Sequence, residues 1–194
     1  MEQSVKGVAV RAGLHWVATT YGVDTVQKVH DRGSPGLKAT VIPGLASFGI
    51  LSTGWYETAV IGELLDVIVE VTTPPSVEEH FARMADAVAT DNVNGVYRTL
   101  FRLIATRPLL LTHAQRVWGS YFSDGELVVT SAREGEFVFH ACDGERHHNS
   151  LCMMTSLVLE RILKLVGYKG ATLERKQCRG QGAPECIFEV DYVT

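Results

Sequence analysis

The sequence predicts an α+β fold, with a helical N-terminal half packed on an antiparallel sheet. Three observations carry that prediction. Apolar residues recur at spacings of three and four through most of the first 110 positions. From about residue 115, short apolar runs alternate with tight-turn signals. One further amphipathic stretch, over 150–166, then separates those runs from two last strand-like segments. The predicted order is helices and then β-β-β-α-β-β, in one domain over 1–194, with a helical part over 1–110 and a sheet and cysteine part over 111–194.

Each element has its own grounds. Residues 5–20 mix Val, Ala, Leu and Trp with few breakers, and Tyr21-Gly22 closes them. The stretch DTVQKVHDRG continues with Val26 and Val29 on one side until Gly33, Pro35 and Gly36 stop it. Residues 37–53, with Pro43, Gly44 and Gly49, read as turns and a short helix. Over 55–71, Tyr56, Val60, Leu64, Val67 and Val71 form a helical stripe. Pro74-Pro75 breaks it. Ser76 with Glu79 then reads as a capping box, in which each side chain satisfies an orphan backbone donor, ahead of the stripe Val77, Phe81, Met84, Val88. A helix over 93–105 carries Val96, Leu100 and Ile104, and Pro108 marks its end.

The second half changes period. Residues 116–122 read as a strand, Asp124-Gly125 as a hairpin turn, 126–131 as a second strand and 136–142 as a third. In the helix over 150–166, Leu151, Thr155, Val158, Ile162 and Leu165 share one face, and Gly167 caps it. Strands over 171–178 and 187–193 flank a Gly/Pro loop.

Composition narrows the function classes. A net charge of −4 over 194 residues argues against a general nucleic-acid binder, which shows a basic face. No run reaches bilayer-spanning length and no secretory signal opens the chain, so a cytoplasmic location is expected, without membrane or direct nucleic-acid contact. Enzyme signatures are missing: there is no G-x-S-x-G, P-loop, H-E-x-x-H or dinucleotide fingerprint. A non-enzymatic protein is expected.

The informative residues are Cys152, Cys178 and Cys186. If the last two strands pair through CRGQGAPEC, two thiols approach each other, and the start of the preceding helix brings the third. Thiolates are good zinc ligands, but structural zinc takes four. His148, four residues before Cys152, and Glu174, an even number of positions from Cys178, are the leading candidate fourth ligands, with Glu185 and water as further ones. Buried thiols without a metal are the alternative. A redox pair does not match the C-x-x-C spacing.

The stretch from Cys152 through LERILKLVGYKGATLERKQCRGQGAPECIFEV resembles the 4-vinyl-reductase-like domain. It is a Cys, a helix ending in Gly, a strand ending in Cys, a Gly/Pro turn, and a Cys before an apolar strand. Related folds are the sensory domains of bacterial aromatic-catabolism activators and small subunits of the TRAPP vesicle-tethering complex. The helical half is similar in layout to uncharacterised myxobacterial paralogues and to the haem-nitric-oxide-binding type of domain. The resemblance covers roughly the last 80 residues. It implies a homodimer formed through helices, and a zinc ion on three cysteines with an acid three positions before the middle one. Arg175 stands there instead.

Trp118, Tyr121, Phe137, Phe139 and His140 are the candidate lining of a pocket for a small apolar or aromatic ligand. Trp16, Trp55 and Tyr56 could instead cover a dimer face. The histidines His15, His30, His80, His113, His140, His147 and His148 raise a haem reading. Without C-x-x-C-H or Tyr-x-Ser-x-Arg, no haem is expected. The expected function is a small-molecule-binding sensory or regulatory domain of bacterial signalling, acting through a homodimer or a regulatory partner. The alternatives are a dimeric adaptor without a ligand, and a haem-based gas sensor.

Overall fold

The chain opens on a strand where the sequence predicts a helix. In the computed structural model, which describes residues 3–95, 97–131, 133–142 (Cys142 by its backbone alone) and 148–193, β1 (Ser4–Lys6) pairs antiparallel with β2 (Trp55–Glu57). Both segments begin stretches read as helix. Val5 is buried opposite Tyr56, and their backbone groups bond across the ribbon instead of along a helix. A 3-10 turn (Gly7–Ala9) leads to α1 (Arg11–Tyr21) and then α2 (Asp24–Arg32). A Cβ at Gly7 would lie 2.1 Å from the Leu51 carbonyl oxygen, so only glycine lets that loop close.

Pro35, expected to stop a helix, starts one. It sits in the first turn of α3 (Pro35–Thr40), where its missing N–H costs nothing, and the Ser34 hydroxyl accepts from the Leu37 N–H at 3.3 Å. In α4 (Thr58–Thr72) the buried stripe is Ile61, Leu64, Leu65 and Ile68, with Val67 at its edge. It is thus turned from the predicted one. The Ser76 cap of α5 (Val77–Asn94) is present: its hydroxyl accepts from the Glu79 N–H at 3.2 Å. The Glu79 carboxylate pairs with Arg83 at 2.7 Å, so half of the box is spent on a surface ion pair.

Residues 98–118 depart most from the sequence reading. Short α6 (Arg98–Phe101) and a 3-10 turn (Arg102–Ile104) precede α7 (Arg107–Trp118), which opens with Pro108 in its first turn. The expected strand over 116–122 is therefore the end of a helix and a following turn. Leu110, Ala114 and Trp118, four apart, are its buried stripe. Val96 and the polar loop around His147 lie outside the described residues.

The sheet contains β3 (Glu126–Thr130), β4 (Glu136–Cys142), β5 (Thr172–Gln177) and β6 (Cys186–Asp191) in the order β3-β4-β6-β5, all antiparallel. Helix α8 (Asn149–Val166) connects β4 to β5, so the second half is β-β-α-β-β with α7 before it. Strand alternation is clean. Phe137, Phe139 and Ala141 of β4 face inward with Cys186, Phe188 and Val190 of β6, to which they pair in register.

Helix α8 packs against α5, α4 and the sheet. Arg161 donates to Asp86 of α5 at 2.5 Å, and Glu160 accepts from the Leu173 N–H of β5 at 3.2 Å. Helix α7 is tied to β3 by the Leu127 N–H, which donates to Gln115 Oε1 at 2.6 Å. No helix among the described residues is long and apolar enough to cross a membrane.

Gly62 of α4 is where α4 meets the start of α8: a Cβ there would lie 2.1 Å from His148 Cγ and 2.5 Å from its Cβ. In a helix interior Gly→Ala ordinarily adds up to about 1 kcal/mol. Gly62→Ala should instead destabilise, by about 1–3 kcal/mol as for other overpacked sites. A lower urea midpoint at unchanged slope would show it; an unchanged or raised midpoint would mean that α4 and α8 are not in this contact.

Candidate functional site

Helix α8 contributes to two features of functional interest, which meet at its first turn. The first is a cavity of about 100 Å³ between α7, α8, the inner sheet face and the 3-10 turns. Its wall includes Leu110, Ala114 and Trp118 from α7, Leu151, Met154 and Val158 from α8, and Phe139 and Phe188 from the sheet. Among the described residues no charged side chain lines it. Cavities of roughly 150 Å³ lined this way stay dry and admit molecules such as benzene.

Three of the five residues proposed from sequence as pocket lining are in this wall: Trp118, Tyr121 and Phe139. Phe137 is buried beyond it, stacked on Tyr192 at 5.0 Å between ring centroids. His140 is on the opposite face of β4, with Nδ1 3.1 Å from Glu185 Oε2. Period 2 places it there once Phe139 points inward. The α7 contribution was missed with the helix itself, although Leu110, Ala114 and Trp118 show the spacing.

Two polar groups in the wall are distinctive. The Tyr121 hydroxyl donates to Asn92 Oδ1 at 3.1 Å, and the Asn92 amide donates to the Val88 carbonyl at 2.9 Å. Burial raises the Tyr121 phenol above its ordinary range, so it stays protonated. Trp118 stacks on Phe122 at 4.1 Å, and among the described residues its buried indole Nε1 has no acceptor.

The second feature is the thiol cluster. The Sγ atoms of Cys152, Cys178 and Cys186 all lie within 4.8 Å of one another, and all three residues are buried. Cys152 and Cys186 are 3.7 Å apart. The Arg179 N–H donates to Cys186 Sγ at 3.3 Å. The loop that closes the cluster is a 3-10 turn (Arg179–Gln181) against the start of α8, where a Cβ on Gly180 would lie 2.6 Å from the Asn149 nitrogen. Contact with Cys186 and then burial hold the Cys152 thiol far above the usual thiol range.

Neither candidate fourth ligand joins the cluster. His148 turns toward α4, with Nε2 3.3 Å from Asp66 Oδ2. Glu174 is on the outer face, 2.6 Å from Lys176. Glu174 pairs with outward-facing Glu189 and Arg175 with inward-facing Phe188, and the extra residue that follows, in the register shift between Arg175 and Gln177, puts Cys178 on the face of Arg175 instead of that of Glu174. The even-spacing argument for Glu174 holds only on a regular strand. Arg175 Nη1 lies 3.8 Å from Cys178 Sγ and donates to Asn149 Oδ1 at 3.1 Å.

With these features described, the comparisons can be placed. No family model matches the sequence, and no curated protein does. The fold does have relatives among solved structures. The chain is similar to an Fe(II) unliganded H-NOX protein mutant from K. algicida, with TM-score 0.66, 15% identity, and 97% of each chain covered. It is similar to an H-NOX protein from S. oneidensis in the Fe(II)NO state, with TM-score 0.66, 9% identity, and 97% and 99% covered. It is also similar to an oxygen-binding H-NOX domain related to soluble guanylate cyclases, with TM-score 0.59, 11% identity, and 97% and 95% covered. The chain has the fold of these H-NOX proteins.

That likeness corrects the cofactor expectation. Haem was set aside because its sequence motifs are missing, yet the fold is that of Fe(II)-bearing, haem-nitric-oxide-binding domains. A missing motif is therefore no ground for exclusion. Zinc gains no support from these relatives, and neither does the 4-vinyl-reductase-like assignment. The cavity itself can be tested for fit to an iron porphyrin. Among the described residues its wall holds no imidazole, no thiol and no cation for a carboxylate, and its phenol is held protonated. As folded, these residues do not fit the group, and no step is derived through it.

Among the described histidines, His80 of α5 is the buried one. Its Nδ1 meets the Tyr21 hydroxyl at 3.1 Å, and its ring lies 5.3 Å from that of Trp16. Burial lowers its pKa from 6.5. Unfolded chain then binds the proton more readily than folded chain, so the stability His80 contributes is complete above pH 6.5 and is lost as the pH falls below that value. His80→Asn should flatten the pH dependence of the urea midpoint on the acid side of that value. An equally steep acid limb in the variant would remove His80 as its source.

Proposed function

We propose that this chain is a non-catalytic sensory domain of the H-NOX fold that takes a small, largely apolar ligand directly into the α7–α8 cavity. The observation that carries the proposal is the wall itself: wholly uncharged, formed by two helices and the sheet, with one buried indole N–H lacking an acceptor. An unpaired buried donor is costly. A ligand with an apolar body and one acceptor atom relieves that cost while filling the space. Output would follow from a shift of α7 or α8 against the body of the domain, passed to a second copy or to a regulatory partner.

The second reading is a haem-based gas sensor. It is favoured by the likeness to H-NOX domains in Fe(II), NO-bound and oxygen-bound forms. On that reading an axial ligand has to come from outside the present wall.

One set of measurements separates the two. Small aromatic alcohols and ketones should raise the melting temperature of haem-free protein, since a ligand that binds only the native state stabilises it. Trp118→Phe should weaken that binding about tenfold, the worth of roughly one hydrogen bond. Ala114→Trp, which fills the cavity, should abolish it. Stabilisation that survives Ala114→Trp would place the ligand elsewhere. A stoichiometric Soret band after haemin addition, with a reduced form that takes up NO, would establish the haem reading instead.

A further inference from the structure

The thiol cluster has a property that the metal sites of resembling proteins would not have. A zinc site needs four ligands, or three and a water. Here three sulfurs converge in a buried pocket, and the strand irregularity turns Cys178 to the face of Arg175, whose Nη1 lies 3.8 Å from its sulfur. A guanidinium is a donor and a cation, and it cannot ligate a metal. Among the described residues no carboxylate or imidazole joins the trio.

Ligand count points to a different occupant. A dication held by these three sulfurs lacks a fourth protein ligand among the described residues, whereas a centre that binds three sulfurs only is complete here. Trivalent arsenic and its heavier congener have that chemistry: three pyramidal bonds to sulfur and a lone pair on the remaining side.

We infer that Cys152, Cys178 and Cys186 form a binding site for a trivalent, three-coordinate thiophile of the arsenite class, with Arg175 closing the side where a fourth ligand would stand. The step balances without oxidant or reductant. Neutral As(OH)₃ meets three thiols, three As–O bonds break and three As–S bonds form. Each thiol proton leaves with a departing hydroxyl as water, and arsenic stays trivalent. Arg175 keeps its bonds to Asn149 and presents only N–H groups to the sulfurs.

The test uses the whole chain, reduced and metal-free, with sodium arsenite and zinc chloride as probes and native mass spectrometry as readout. Arsenite should add one arsenic less three hydrogens per chain, and equimolar zinc should not displace it. Cys152→Ser, Cys178→Ser and Cys186→Ser should each weaken uptake by more than about 100-fold, beyond what loss of an outer-shell contact does. Because a serine in the cluster can also unfold the chain, Arg175→Glu provides a gain-of-function arm. It supplies a fourth ligand, so this variant should retain one zinc per chain that the parent does not. Two results would overturn the inference: a parent that keeps one zinc against equimolar arsenite, or arsenite uptake that all three serine variants leave unchanged.

Discussion

The burial of α8 on two sides at once is the constraint on which the molecule depends. Its apolar residues are shared between α5 and α4 of the helical half and the inner face of the four-stranded sheet. A sheet with one apolar face needs a layer over that face, and a helix layer needs a partner in turn. Helix α8 meets both needs. Its polar residues are placed to match: Arg161 reaches Asp86 on α5, while Glu160 accepts from the backbone of β5. The ion pairs are partly exposed and contribute little by themselves. What they fix is the rotation of the helix about its axis.

That rotation decides what the interior contains. Leu151, Met154 and Val158 are turned toward α7 and the sheet, where they meet Phe139, Phe188 and Trp118 without filling the space between them. Interiors are ordinarily close-packed. An apolar void bordered by an indole that has no acceptor among the described residues is therefore a departure that costs stability.

Much of this arrangement is legible in the sequence, and the failures have physical causes. The α+β class, the presence of α8 and the convergence of three cysteines follow from period and turn chemistry, although the buried side of α8 is turned from the expected one: Leu165 is exposed, while Met154 and Leu163 are buried. The strand read over 116–122 fails because RVWGSYF has β-rich composition, while the helix that holds it is set by Leu110, Ala114 and Trp118 and opened by Pro108. The ribbon at Val5 and Tyr56 fails because three-residue strands leave no periodic trace. Glu174 was preferred over Arg175 as neighbour to the thiols because a one-residue bulge inverts facing, and no composition signal marks it. The cavity is a deficit of packing, which a list of apolar residues cannot show.

The first turn of α8 holds Cys152 next to Leu151 of the cavity wall, which continues along the next turns. A helix of 18 residues is a rod about 27 Å long. Thermodynamic linkage then acts along its axis. By whatever factor occupancy of the sulfur end alters affinity at the cavity, a cavity ligand alters affinity at the sulfurs by the same factor. A domain with such a rod can report a conjunction of two chemical signals, one apolar and one thiophilic, without any moving part beyond the helix.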